Sequence, residues 1–110
     1  MSPRSDCVVV TVRGDVDVRT TAQLSRTLEA AATSSRTPCL IIDMTDLSFI
    51  DSAGLGVLIH AQNRAQARGA SVVLVHPPRL VRRLLTGTQL QHRFAAYDTL
   101  DDALAALKTV

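Results

Sequence analysis

Ser52 is the side chain in this sequence best placed to do chemistry. It stands in Ile50-Asp51-Ser52-Ala53-Gly54-Leu55-Gly56, where a carboxylate precedes a hydroxyl and two glycines follow. If that segment opens a helix, the unpaired N–H groups of the first turn and the positive end of the helix dipole form an anion site. The glycines then let a ligand approach the backbone closely. A phosphate on Ser52 would bring about −1.5 to −2 charges to a place that already holds Asp51. Asp15 and Asp17 add to that charge if the first strand runs beside the loop. Repulsion then competes with the helix dipole, so the modified loop keeps its fold and changes the surface offered to a partner. A plainer reading fits the same residues. Asp and Ser are common helix N-caps, and Gly54 and Gly56 can serve close helix–sheet packing, since a glycine early in a helix costs about 1 kcal/mol and needs a reason. Local chemistry leaves both readings open.

Ser52 lacks the setting of a catalytic nucleophile. The nucleophile elbow needs Gly-x-Ser-x-Gly, position 50 is Ile, and no base, His60 included, stands at a fitting place. Gly54-Leu55-Gly56 lacks the third glycine of a dinucleotide fingerprint, and no phosphate-loop lysine follows the serine. Asp43 closes an apolar run and invites comparison with a phosphoacceptor aspartate. Its acidic partners would have to be Asp15 and Asp17, and no strand-end lysine follows Val75, so Asp43 reads as structural. His60, His76 and His92 are far apart and keep no ligand spacing with Cys7 or Cys39, so no metal and no cofactor is expected. The reading is of a protein that is not an enzyme. Cys7 and Cys39 lie in apolar, strand-like runs, where cysteine behaves as a small buried hydrophobe. A disulfide is not expected in the reducing compartment implied.

The elements that must position Ser52 are legible from hydrophobic periodicity. Cys7 to Val12 is a β-branched run that reads as a strand broken by Gly14. Arg19 to Ala32 carries Ala22, Leu24, Leu28, Ala31 and Ala32 near helical spacing, ended by Ser34, Ser35 and Pro38. Cys39-Leu40-Ile41-Ile42-Asp43 has no alternation, as expected of a central strand covered on both faces. A polar connection follows, and then Leu55, Leu58, Ile59, Gln62 and Ala65 fall on one helix face with His60, Asn63, Arg64 and Gln66 opposite, until Gly69 stops the helix. Ser71 to Val75 is a further buried strand, Pro77-Pro78 a turn, Leu80 to Leu85 a short helix and Phe94 to Tyr97 a brief strand. Thr99 to Lys108 is a last helix with Asp101 and Asp102 in its first turn. Strands alternating with helices in this way imply an α/β fold with a mainly parallel central sheet of about four to five strands and four helices. Sites on such sheets lie at the carboxyl ends of the strands, which points to the segment from Asp43 to Ser52.

With 110 residues, the chain suits one domain, residues 1–110. Its formal net charge of +2 is scattered rather than gathered in a stripe, and aromatics make up 3% with no Trp. Neither phosphate-backbone binding nor base stacking is expected, so nucleic acid is excluded as a partner. No apolar run approaches the ~18 residues that cross a bilayer, and Met1 to Asp6 has no apolar leader core. A cytoplasmic protein without a membrane partner is the expectation.

Leu40-Ile41-Ile42-Asp43-Met44, followed by Leu47-Ser48-Phe49-Ile50-Asp51-Ser52-Ala53-Gly54-Leu55-Gly56-Val57-Leu58, resembles the signature of the STAS domain of anti-sigma factor antagonists. Val12-Arg13-Gly14-Asp15-Val16-Asp17 with Thr20-Thr21-Ala22-Gln23-Leu24 resembles the family's second strand and first-helix entry. Val81-Arg82-Arg83-Leu84-Leu85-Thr86-Gly87 resembles its third helix. The resemblance covers roughly Val8 to Leu107. It implies that Ser52 is the residue phosphorylated by an anti-sigma factor that is also a serine kinase, with Asp51 preceding it as the motif requires. It further implies that the unphosphorylated form binds that kinase and frees a sigma factor, and that a phosphatase of the PP2C type reverses the modification. Asp17 matches the family's acid near the serine loop, and Ala53, Gly54, Leu55 and the segment around Arg83 match its partner-facing regions. STAS domains also serve in stress-signalling and lipid-transport complexes, and a constitutive binding subunit of that kind is the alternative. The family's extra strand before Val8 has only Met1 to Asp6 to form it here. A short or missing first strand leaves a sheet edge open to another chain, which favours a homodimer.

Overall fold

In the computed structural model, residues 7–33, 39–89 and 93–108 are described. In chain order they form β1 (Cys7–Thr11), β2 (Gly14–Val16), α1 (Thr21–Thr33), β3 (Cys39–Asp43), β4 (Leu47–Ile50), α2 (Ser52–Ala67), β5 (Ser71–Val75), α3 (Arg79–Gly87), β6 (Ala95–Tyr97) and α4 (Leu100–Lys108). Strands β1, β3, β5 and β6 make one parallel sheet in the order β1-β3-β5-β6. The α/β class, the parallel sheet and the four helices follow the expectation from alternating strand and helix patterns.

The continuous apolar run of β3 is explained by its place. Leu40 and Ile42 join the larger core, with Leu28 of α1, Leu55 and Leu58 of α2, and Val81 and Leu85 of α3. Ile41 points the other way, into a second core with Val73, Val75 and Ala103, which Leu100, Leu104 and Leu107 of α4 cover. Three helices thus lie on one face and α4 on the other. Fully burying each of these aliphatic side chains contributes about 1.5–3 kcal/mol, so the sheet is a rigid base for whatever stands at its ends. Gln62 is the buried polar side chain among the described residues, and its Nε2 donates to the Arg93 carbonyl, tying α2 to the segment before β6.

Two elements depart from the reading by hydrophobic periodicity, although the resemblance places a second strand on Val12 to Asp17. Gly14 breaks β1 as expected, but its φ of +68° turns the chain directly into a second strand, β2. The presumed polar connection between Asp43 and Ser52 contains β4. Together they form a separate parallel ribbon, pairing Gly14 with Leu47, Asp15 with Phe49 and Val16 with Ile50. Three- and four-residue strands show too little alternation to be read as strands, and β4 buries its ends, Leu47 and Ile50, while exposing Ser48 and Phe49.

The cysteines also require a correction. Expected as independent buried thiols, Cys7 and Cys39 are joined in the structure as a disulfide. They are 32 positions apart, so only the β1–β3 register, which sets them opposite each other at a Cα–Cα distance of 4.8 Å, reveals the pairing. That separation lies within the span of such bonds. The strand expected to be short or missing before Val8 falls on residues 1–6, outside the described residues. Among the described strands β1 is an edge of the sheet. No helix among the described residues is long and apolar enough to cross a membrane.

Candidate functional site

The segment from β4 to α2 is as short as such a connection can be, with Asp51 alone between Ile50 and Ser52. Asp51 is extended (φ −105°, ψ −173°) and is the N-cap of α2: its Oδ1 accepts from the Gly54 N–H at 3.0 Å. Its carbonyl accepts from Leu55 N at 3.0 Å, and its own N–H donates to the Val16 carbonyl at 3.2 Å, which locks the helix start to the end of β2. The cap is therefore made by Asp51. Ser52, the first residue of α2, is exposed, and its hydroxyl makes no hydrogen bond among the described residues. The capping requirement that could have explained both residues accounts for one of them.

The two glycines divide in the same way. A Cβ on Gly54 would sit 2.6 Å from Ile50 Cγ1 and 2.7 Å from Val16 Cγ1, so α2 packs on the β2–β4 ribbon only because residue 54 has no side chain. A Cβ on Gly56 would meet nothing within 4 Å, so packing does not require glycine there. Leu55, which the resemblance placed among partner-facing residues, is only 4% exposed and belongs to the main core beside Leu58. Gly54 and Leu55 support the loop from beneath, while Ser52, Ala53 and Gly56 form its outer surface.

Asp17 is brought to this end of the molecule by β2, whose last residue, Val16, holds Asp51. Its backbone builds the turn into α1: the carbonyl accepts from Thr20 N and Thr21 N, both at 3.0 Å, and its N–H donates to Thr20 Oγ1 at 3.0 Å. Its carboxylate accepts from Arg19 N at 2.9 Å and from the Arg19 guanidinium at 3.1 Å. The guanidinium hydrogen bond is the main cause that holds the Asp17 carboxyl below its ordinary value of 3.8. A depressed carboxyl contributes stability that is present above the unfolded value and is lost as the pH falls through the lowered folded one. Arg19→Gln should therefore move the Asp17 titration midpoint upward in carboxyl-carbon NMR spectra. An unchanged midpoint would mean that Arg19 does not hold this acid.

Arg83 is exposed on α3, and no hydrogen bond or ion pair among the described residues joins it to the serine loop. Asp43 accepts from Thr45 N at 3.0 Å and from Thr45 Oγ1 at 2.6 Å, a closed local turn that gives it the structural role expected. His60 lies eight residues beyond Ser52 on α2, about 12 Å along the axis at 1.5 Å per residue, which is out of hydrogen-bond reach. The reading of the sequence took Phe49 only as part of the motif and passed over Val18; they are exposed to 45% and 74% respectively at this same end. Neither stands in a periodic pattern, and only the β2–β4 pairing shows where Phe49 faces.

Comparison with known proteins agrees with this fold. A family model describing the STAS domain matches residues 2–103. The anti-sigma-F factor antagonist RsfA of Mycobacterium tuberculosis is 31% identical over 101 residues, covering 90% of this chain and 78% of that protein. The crystal structure of an anti-sigma factor antagonist from Mycobacterium paratuberculosis superposes with a TM-score of 0.84 at 28% identity, covering 97% of each chain. A sulfate transporter family protein of Wolinella succinogenes shares the fold alone, with a TM-score of 0.80 at 19% identity, covering 94% of this chain and 86% of that one.

Proposed function

The chain belongs to the STAS domain family, and we propose that it is an anti-sigma factor antagonist switched by phosphorylation of Ser52. The observation that carries this reading is the division of labour at the start of α2, where Asp51 caps the helix and leaves the Ser52 hydroxyl exposed and unbonded. A kinase can reach that oxygen without unfolding anything. The phosphate added there meets the helix N-terminus, which favours it, and the nearby carboxylates of Asp51, Asp15 and Asp17, which do not. The fold survives and the surface changes. In the unphosphorylated state the chain binds a serine-kinase anti-sigma factor and so releases a sigma factor. A phosphatase of the PP2C type returns Ser52 to its hydroxyl. The whole cycle runs in the bacterial cytoplasm, and this chain contributes binding rather than catalysis.

The test is a titration of the purified full chain against each serine-kinase anti-sigma factor of the bacterium that encodes it. One of them is expected to form a saturable complex, and the chain recovered after phosphorylation by that partner is expected to have lost the affinity. A folded chain that binds none of them overturns the reading and leaves a constitutive subunit of another STAS assembly.

A further inference from the structure

We propose that Phe49 is the apolar anchor of the partner interface, with Val18 and the carboxylate of Asp15 around it. Its occupant is a face of the anti-sigma factor that offers an apolar pocket with a lysine or arginine at its rim. This rests on the functional reading above and specifies the partner's chemistry.

Three large hydrophobic side chains are exposed among the described residues, Val9, Val18 and Phe49, and two of them lie at the Ser52 end. The core does not call for an aromatic ring at position 49, since β4 meets it through Leu47 and Ile50, which are buried. The ring instead stands on the outer face of the β2–β4 ribbon, opposite Asp15 in the register and three residues before Ser52. A phenylalanine left nearly half in water beside the phosphoacceptor has area to bury against a second protein, and aromatic anchors dominate such interfaces.

The local charges say what surrounds the pocket. Asp17 is bonded to Arg19, Asp46 lies 3.8 Å from Arg13, and Asp51 is committed to Gly54 N. The Asp15 carbonyl accepts from Thr20 Oγ1 at 3.2 Å, but its carboxylate is exposed and makes no hydrogen bond or salt bridge among the described residues. Arg19 acts on it only through space while bonded to Asp17. A partner that covers Phe49 must also cover this carboxylate, and covering it without a cation is costly. Complementarity therefore asks for a basic side chain at the edge of the pocket. The same arrangement explains how a phosphate breaks the complex. Three residues from a ring that has to enter a dry pocket, a charge of about −1.5 to −2 must either stay hydrated and hold the surfaces apart or be buried unpaired.

The experiment measures binding of the full chain and its variants to the serine-kinase anti-sigma factor that binds the wild type. Phe49→Ala is expected to weaken binding about 30-fold, as an anchor residue does. Val18→Ser, on a turn residue that carries none of the sheet, is expected to weaken it about fivefold if the same patch is covered. Asp15→Lys is expected to slow association about tenfold at low salt, with the difference shrinking as salt is raised. Binding of folded Phe49→Ala or Val18→Ser within about twofold of wild type overturns the anchor while the functional reading stands. Faster association of Asp15→Lys overturns the basic rim. A wild-type chain that binds no such partner removes the functional reading and this proposal together.

Discussion

Gly54→Ala lowers the stability of this chain by about 1–3 kcal/mol, the usual cost of forcing an extra carbon into a filled core. Gly56→Ala, two residues away on the same helix, raises it by up to about 1 kcal/mol. The sign differs because the surroundings differ. At position 54 the new methyl meets Ile50 and Val16 at 2.6 and 2.7 Å, and both are buried, β-branched side chains with few alternative rotamers. Relief has to come from shifting α2 off the β2–β4 ribbon. At position 56 the methyl enters open space and supplies only better helix propensity. Paired urea or thermal melts of the two variants check this directly. Equal and small effects would mean that α2 is not seated on the ribbon as described. A stabilised Gly56→Ala variant that binds its partner less well would show that the glycine serves the outer surface.

Phosphorylation of Ser52 is expected to reduce affinity for the anti-sigma factor by about 100-fold or more, the scale of leaving a charge uncompensated in a buried interface. Stability should hardly change. Ser52→Ala removes a hydroxyl that bonds to nothing among the described residues, so its effect on unfolding should stay within about 0.5 kcal/mol, with partner binding retained and phosphorylation abolished. Ser52→Asp places one negative charge in the first turn of α2, which the dipole tolerates, and should weaken binding by less than the phosphate does. Asp51→Ala is the contrasting case. It removes the cap on Gly54 N and should cost about 1 kcal/mol of stability. Chemical denaturation of the four forms beside binding titrations separates cap from switch. A large loss of stability in Ser52→Ala would assign the serine to the fold.

The regular part of the fold was legible because each element has a clear period. The unbroken apolar run at Cys39–Asp43 announced a strand covered on two faces, and Leu55, Leu58, Gln62 and Ala65 announced the inner face of α2. The β2–β4 ribbon was not legible from periodicity, because strands of three and four residues carry too few alternations, and one of them starts with a glycine that reads as a breaker; only the resemblance marked a strand within Val12 to Asp17. The disulfide was hidden for another reason, as it depends on a register between strands far apart in sequence. At the site, the sequence pointed to Ser52 and Asp51 but left open which of them caps α2, and that depends on one hydrogen bond to Gly54 N. The different duties of Gly54 and Gly56 were equally hidden, since they depend on which side of α2 faces the ribbon. Phe49 was read as part of a motif. Its exposure became visible only with the pairing to Asp15.

The most direct measurement is intact mass and peptide mapping of the full chain after incubation with magnesium, ATP and the serine-kinase anti-sigma factors of the bacterium that encodes it. The account predicts a gain of about 80 Da, one phosphoryl group, carried by the peptide that contains Ser52 and absent from Ser52→Ala. A folded chain that gains no phosphate from any of these kinases, or gains it elsewhere and still loses its partner, would contradict it.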